Sequence, residues 1–362
     1  MRTYRALGSD HWLSAEELEQ QARARLNPAI YDFVAGGSGD EVTVAANRAA
    51  FRAWRLRPRV LADVGAVELA TEVLGTSLGL PVFVPPMGSQ WSLHPEGDVA
   101  TAVGAAAAGA GFALSAVAPA TIAAVAAAAG PARWYQLYFR SDRAAAAELV
   151  EAAEAGGYRA LLVTVDAPVI GNRRRDTRHA YQAGPGAPLG DEQGAAPGEG
   201  GAFHFHPDLR PFAPVTWADL DWLRTRTRLP IVVKGILDPA DAELAIEHGM
   251  AGVVVSNHGG RQLDHAVASL EALPAIVQAV AGRIPVLLDG GVRSGTDVAI
   301  ALCLGASAVG IGRPCLWALT VDGAAGVERL LRGVAADLAR TLVLLGLGSV
   351  HALGPHLVHR SP

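Results

Sequence analysis

Eight short apolar runs recur between residues 82 and 311, and each is followed by a stretch with helical patterning. That alternation is the signature of a parallel α/β sheet, in which every crossover helix returns the chain in the same direction. Strands are predicted over residues 82–85, 112–115, 134–137, 160–165, 231–234, 252–255, 286–289 and 308–311. Helices are predicted near Asp98, Ala120, Arg143, Trp217, Pro239, Leu270, Ser294 and Ala324. Eight units in a chain of 362 residues favour closure into a (β/α)8 TIM barrel over an open sheet.

Helices come before the barrel. Ser14 and Glu17 have the capping-box spacing, and the pattern then runs helically to about Arg25. A second helix is expected over Pro28–Ala35, ended by Gly36 and Gly37, and a third over residues 40–54. The reading is one domain over residues 1–362, with N-terminal helices over about 1–60 and the barrel over about 80–345. One connection is too long for a simple turn: about fifty residues separate the fourth strand from the helix near Trp217, where two to six are usual. Its middle, AGPGAPLGDEQGAAPGEGGA, cannot bury enough apolar surface to order itself, so a mobile lid loop is expected over about 175–215.

Composition narrows the function classes. A net charge of -5 gives no basic footprint for nucleic acid. Residues 99–132 carry no charge, but Gly104, Gly109, Gly111, Pro119 and Gly130 divide them into helix, strand and helix, so they are read as barrel interior rather than as a membrane span. Cys303 and Cys315 both lie in apolar segments without a CxxC spacing and are expected to be buried thiols. The start, MRTYRALGSDHW, lacks the apolar core of a signal peptide, and a soluble, cytoplasmic protein is expected. His204 and His206 have no clustered partners, so no metal site is expected.

The chemistry is expected where barrel strands end at their carboxyl side, because active sites lie on that face. The sixth run, Val253-Val254-Val255, stops at Ser256-Asn257-His258-Gly259-Gly260-Arg261. His258 can take a proton near neutral pH, and Arg261 can grip a carboxylate with two parallel hydrogen bonds. Together they suggest chemistry on a small carboxylic acid. The other ends are polar as well: Pro86, Met87 and Gly88 follow the first strand, Ser115 ends the second, and Gln136 and Tyr138 the third. Thr164 and Asp166 end the fourth, and Lys234 the fifth. Polar groups in a buried mouth are costly without partners, so a polar ligand is implied. Asp289, Gly290, Gly291, Val292 and Arg293 enter one helix, and Gly312 and Arg313 enter the next. Glycines, helix N-termini and two arginines in these last two loops suit a phosphate. Lys234 adds a fixed positive charge that suits a cofactor becoming anionic on reduction, such as a flavin.

These residues resemble the FMN-dependent 2-hydroxy acid oxidases and dehydrogenases, a family that includes glycolate oxidase, lactate oxidase, lactate monooxygenase and mandelate oxidase. The resemblance runs from about Leu13 to Arg340, through YDFVAGGSGDE, HPEG, QLY, TVDAP, KGI, SNHGGRQLD, DGGVRSG and GRP in that order. It implies FMN as cofactor and His258 as the catalytic base, with Asp166 stabilising its protonated form. It implies that Arg173 and Arg261 hold the substrate carboxylate and that Tyr31 and Tyr138 bond the substrate; of the run Arg173-Arg174-Arg175 it singles out Arg173, and Arg174 and Arg175 are expected at the surface. It places Lys234 beside the flavin N1 and O2, Ser115, Gln136, Thr164 and Ser256 on the flavin ring, and residues 289–293 with Gly312 and Arg313 at the ribityl chain and phosphate. Relatives are often homotetramers, and an oligomer is expected.

Three departures bear on the reaction. Val117 stands where short-chain oxidases have tryptophan, which leaves room for a bulky or aromatic, mandelate-like acid unless Trp91 refills the space. Gly88 stands where oxidases mostly have alanine and lactate monooxygenase has glycine, and Met87 is larger than usual. The expected reaction is oxidation of an (S)-2-hydroxy acid to the 2-oxo acid with oxygen giving peroxide. Oxidative decarboxylation, or electron transfer to a quinone or carrier protein, are the alternatives.

Overall fold

In the computed structural model, described over residues 14–139, 143–179 and 215–361, eight parallel strands close into a barrel. They are Val82–Val84, Gly111–Ser115, Arg133–Leu137, Leu161–Thr164, Ile231–Ile236, Gly252–Val255, Val286–Asp289 and Ala308–Gly310. Each pairs with its neighbours in sequence, and the eighth closes on the first through Val309 opposite Val82. The predicted strands are all present, with ends shifted by a residue or two.

The strands are apolar throughout because both faces are covered. Alternate side chains point to opposite sides of a strand. Phe83, Ala113, Leu162, Val232, Val254, Leu287 and Ala308 form one core with Trp134 inside the barrel. Their neighbours Val84, Leu114, Val163, Val233, Val255, Leu288 and Val309 join the larger core with the outer helices. The uncharged stretch forms the helix Gly97–Ala107, the strand Gly111–Ser115 and the helix Ile122–Ala128, as expected. Among the described residues no helix is long and apolar enough to cross a membrane.

Two elements escaped the pattern. A hairpin, Thr71–Val73 with Thr76–Leu78, turns through Leu74 (φ 56°) and Gly75 (φ 64°), the left-handed pair of a two-residue hairpin loop. It seats against the amino-terminal ends of the strands, where Thr76 Oγ1 accepts a 3.1 Å hydrogen bond from Trp134 Nε1. A second ribbon pairs Trp54–Leu56, just after the third N-terminal helix, with Val358–Arg360. Three-residue strands are too short to leave an alternation that sequence can show.

The N-terminal helices are Ala15–Arg25, Pro28–Ala35 and Val42–Arg52, the first with its Ser14–Glu17 capping box formed. The third starts later than predicted because Glu41 is left-handed at φ 63° and the Asp40 amide is bonded to Asp264 Oδ2. It also ends earlier, where Trp54 enters the ribbon. The helix predicted near Ala324 is part of a longer run, Arg313–Leu345, broken at Asp322 and Gly323. Its first piece carries Arg313 at the barrel mouth. Cys303 and Cys315 are buried and free. Of the lid expected over about 175–215, Arg174–Arg178 forms a short helix, and residues 180–214, with His204 and His206, lie outside the described residues.

Candidate active site

The sixth strand ends at Val255 and the chain turns at once through His258 (φ 59°), Gly259 (φ 65°) and Gly260 (φ 76°). A left-handed histidine is strained by about 1–3 kcal/mol and persists only where its surroundings fix it. Here the fixing group is a buried amide pair. Asn47, from the third N-terminal helix, and Asn257 exchange two hydrogen bonds of 2.8 Å, and Asn257 Oδ1 also accepts from the Gly260 amide at 3.1 Å. Ser256 Oγ accepts from the His258 amide at 3.1 Å and from Lys234 Nζ at 2.9 Å.

His258 Nδ1 lies 2.8 Å from Asp166 Oδ1, just past the fourth strand. Burial lowers the His258 imidazole below its ordinary value; Asp166 opposes this, and Lys234 and Arg173 reinforce it. The imidazole is therefore neutral at neutral pH, with Nδ1 committed to Asp166. Burial alone would push the Asp166 carboxyl up, but the charge and hydrogen bond of His258, with Lys234, bring it below the usual range. Burial would likewise strip the proton from Lys234, but Asp289 (3.3 Å) and Asp166 hold it above the ordinary lysine value, so it stays charged. Burial, then Asp166, pushes the Tyr138 phenol up to about 12, which keeps it a neutral donor.

Asp166 fits only because residue 235 is glycine. The fifth strand is irregular between Lys234 and Ile236, and Gly235 has φ 115°. A Cβ there would stand 2.6 Å from Asp166 Cβ and 2.8 Å from its Cγ. Gly235→Ala is expected to displace Asp166 and slow reduction of the cofactor on the order of 10²-fold, since misplacement by about 1 Å has that effect. Anaerobic stopped-flow absorbance measures it; a wild-type rate would show that Asp166 has room to spare.

The cationic groups converge on one cavity. Arg261 Nη1 donates to the carbonyls of Phe33 (2.6 Å) and Gly36 (2.8 Å), and its guanidinium lies 5.0 Å above the Phe33 ring. Arg173 Nε donates to the Arg261 carbonyl at 3.3 Å. Burial, then the nearby Arg173 and Arg313, lowers Arg261 well below the ordinary arginine value. Such crowding is relieved by an anion. Arg293 and Arg313 also line the cavity, with Gly290, Gly291 and Gly312. Arg313 donates to the carbonyls of Val34, Gly259 and Gly36, and so staples the second helix to the mouth.

Most of the predicted site residues meet on this cavity wall: Pro86, Met87, Gly88, Ser115, Tyr138, Arg173, Lys234, His258, Arg261, Asp289 and Val292 among them. Gln136, Thr164 and Ser256 are buried one step behind, against Ser115, Tyr138 and Lys234 respectively. Tyr31 is a correction. Its hydroxyl donates to Glu19 at 3.0 Å, its ring stacks on Trp317, and it lies outside the wall, where Phe33 stands instead. Arg175 is a second correction, since it is partly buried in ion pairs with Asp32 (3.1 Å) and Glu41 (2.5 Å). Trp91 is 39% exposed and does not fill the space beside Val117. A Cβ on Gly88 would stand 2.8 Å from Val117 Cγ2, so glycine here makes room for the valine. Sequence reading missed Phe33, Ile170 and Asp176 on the wall, and Gln262, which its SNHGGRQLD motif contained without a role.

The residues fit a flavin. Gln136 Oε1 accepts from Ser115 Oγ (3.0 Å) and the Ala116 amide (3.2 Å), while its buried Nε2 has no hydrogen-bond partner among the described residues. That orphaned donor matches the carbonyl and nitrogen acceptors along the edge of a flavin ring. Comparison with known proteins decides the matter. Residues 22–360 match the model of the FMN-dependent dehydrogenase family. The chain belongs to that family. It is 45% identical to the L-lactate oxidase of Nostoc sp. over 95% of this chain and 97% of the relative. It is 40% identical to the 2-hydroxyacid oxidase 1 of Homo sapiens, covering 96% of each. Among solved structures, mandelate oxidase with benzoyl-formic acid superposes with a TM-score of 0.84 at 40% identity, over 94% of this chain and 96% of that one. This FMN-dependent oxidoreductase is thus a 2-hydroxy acid oxidase relative, and Gln136, Lys234 and the last two strand-end loops would hold its FMN.

Proposed function

We propose that this protein oxidises a bulky or aromatic (S)-2-hydroxy acid, of the mandelate kind, to the 2-oxo acid, with oxygen reduced to hydrogen peroxide. The observation that carries the substrate class is the apolar part of the cavity wall, formed by Phe33, Met87, Val117 and Ile170 beside the base and the two arginines. The likeness to mandelate oxidase supports it.

In this reading Arg261 and Arg173 hold the carboxylate, and the apolar wall receives the substituent. Neutral Tyr138 donates a hydrogen bond to a substrate oxygen. His258 Nε2 takes the hydroxyl proton, and Asp166 stabilises the imidazolium that forms. When bound, FMN would supply the acceptor for the two electrons that leave the substrate. The acid loses two electrons and two protons, and oxygen gains them as peroxide.

The test is a comparison of kcat/KM for glycolate, lactate and (S)-mandelate, with peroxide measured. One added apolar group in a fitting pocket contributes about 1–3 kcal/mol, or roughly 10–200-fold. Mandelate is expected to lead by at least that margin, and Val117→Trp to reverse the order. A lead for glycolate in the wild type would overturn the substrate class. Carboxylate product without free peroxide would overturn the oxidase reading.

A further inference from the structure

We propose that Gln262 is a positioning residue for this reaction: its amide ties the segment bearing Asp166 and Arg173 to the turn bearing His258 and Arg261. The inference rests on the reading of the site given above, and it deepens it.

Between the fourth strand and the short helix Arg174–Arg178, residues 165–173 form neither helix nor strand. A segment of that kind takes its geometry from side-chain partners. Gln262 Nε2 donates to the carbonyls of Asp166 and Val169, both at 2.9 Å. Its Oε1 accepts from the Gly171 amide at 3.2 Å and from Arg173 Nη2 at 3.4 Å. One side chain thus binds four points along eight residues. Gly171 shows how closely the two segments run, because a Cβ there would stand 2.3 Å from the Arg261 carbonyl oxygen.

Only an amide provides two donors and an acceptor oxygen at one tip. Glutamate keeps the acceptor and loses both donors, methionine loses all, and asparagine is one methylene shorter. The clamp holds the distance between the carboxylate-binding arginines and fixes where Asp166 meets His258. The charged groups acting on His258 are Asp166, Lys234 and Arg173, and the clamp touches the segment that carries two of them.

The experiment uses the FMN-loaded protein, with Gln262→Met and Gln262→Glu beside the wild type. Anaerobic reduction by glycolate, lactate and (S)-mandelate is followed across pH, with binding of the corresponding 2-oxo acid and the melting temperature. Gln262→Met is expected to keep FMN, to weaken 2-oxo acid binding about tenfold, as loss of a hydrogen bond to a charged group does, and to shift the acid limb of reduction to lower pH. The shift is downward because Asp166 raises the His258 value and a displaced Asp166 raises it less. Gln262→Glu keeps an acceptor for Arg173 but loses both donors and adds a negative charge beside it, so it is expected to weaken 2-oxo acid binding by at least about tenfold and to move the acid limb upward, opposite to Gln262→Met. If Gln262→Met does not fold, wild-type affinity and acid limb in Gln262→Glu overturn the inference. A lower melting temperature with wild-type affinity and acid limb would make Gln262 merely structural and overturn the inference. A wild type whose flavin no 2-hydroxy acid reduces would instead remove the functional reading, and this inference with it.

Discussion

Replacing His258 with alanine is expected to leave FMN bound and to slow its reduction by 2-hydroxy acids about 10²–10⁴-fold, the usual contribution of a positioned base. FMN should stay because Lys234, Gln136 and the last two loops, not the imidazole, surround its expected place. The same base sets the pH dependence. Proton abstraction needs the neutral imidazole, and burial holds its value below the ordinary one, near 6.5. The wild-type rate is therefore expected to be flat at neutral pH and to fall only as pH drops below that range. Asp166→Asn removes the carboxylate that raises the histidine, so its acid limb should move lower still. Its overall rate should drop, because the imidazolium loses its stabilising partner. Anaerobic stopped-flow bleaching across pH measures all three proteins. Near-normal reduction in His258→Ala would remove His258 from the mechanism.

Replacing either arginine with methionine is expected to weaken binding of 2-oxo acids by about 2–5 kcal/mol, the range for truncating a buried charge-paired group. The two variants should differ in stability. Arg261 satisfies the Phe33 carbonyl and shares the Gly36 carbonyl with Arg313, so Arg261→Met removes the Phe33 acceptor's donor and loosens the second helix. Arg173 donates at longer range, to the Arg261 carbonyl and Gln262, so Arg173→Met isolates the loss of charge more cleanly. Removing one of three crowded cations also relieves repulsion, which moderates the stability cost in both. Titration with a 2-oxo acid, followed through the FMN spectrum, gives the affinities. Equal affinity of the wild type for an acid and its methyl ester would sink the carboxylate clamp.

The barrel and most of its mouth were legible in the sequence because both rest on local patterns. A strand covered on both faces must be apolar along its whole length, so runs such as Val253-Val254-Val255 announce themselves. Barrel closure then converges their polar ends, which is why His258, Asp166, Lys234 and the two glycine-rich loops could be gathered before their distances were known. What only the tertiary structure decided are matters of facing and contact. Tyr31 and Phe33 sit about 200° apart around one helix, and stacking of Tyr31 on Trp317 turns Phe33 to the cavity. Trp91 lies beyond the wall although Gly88 and Ser89, three and two residues before it, border the cavity. Gly235 reads as an ordinary strand glycine until Asp166, from another strand's end, is seen against it. Gln262 spans two segments that lie about ninety residues apart in the chain and have no sequence period to link them. Periodicity records which side of a strand or helix is buried, but not what covers it, and that is settled only when distant segments pack.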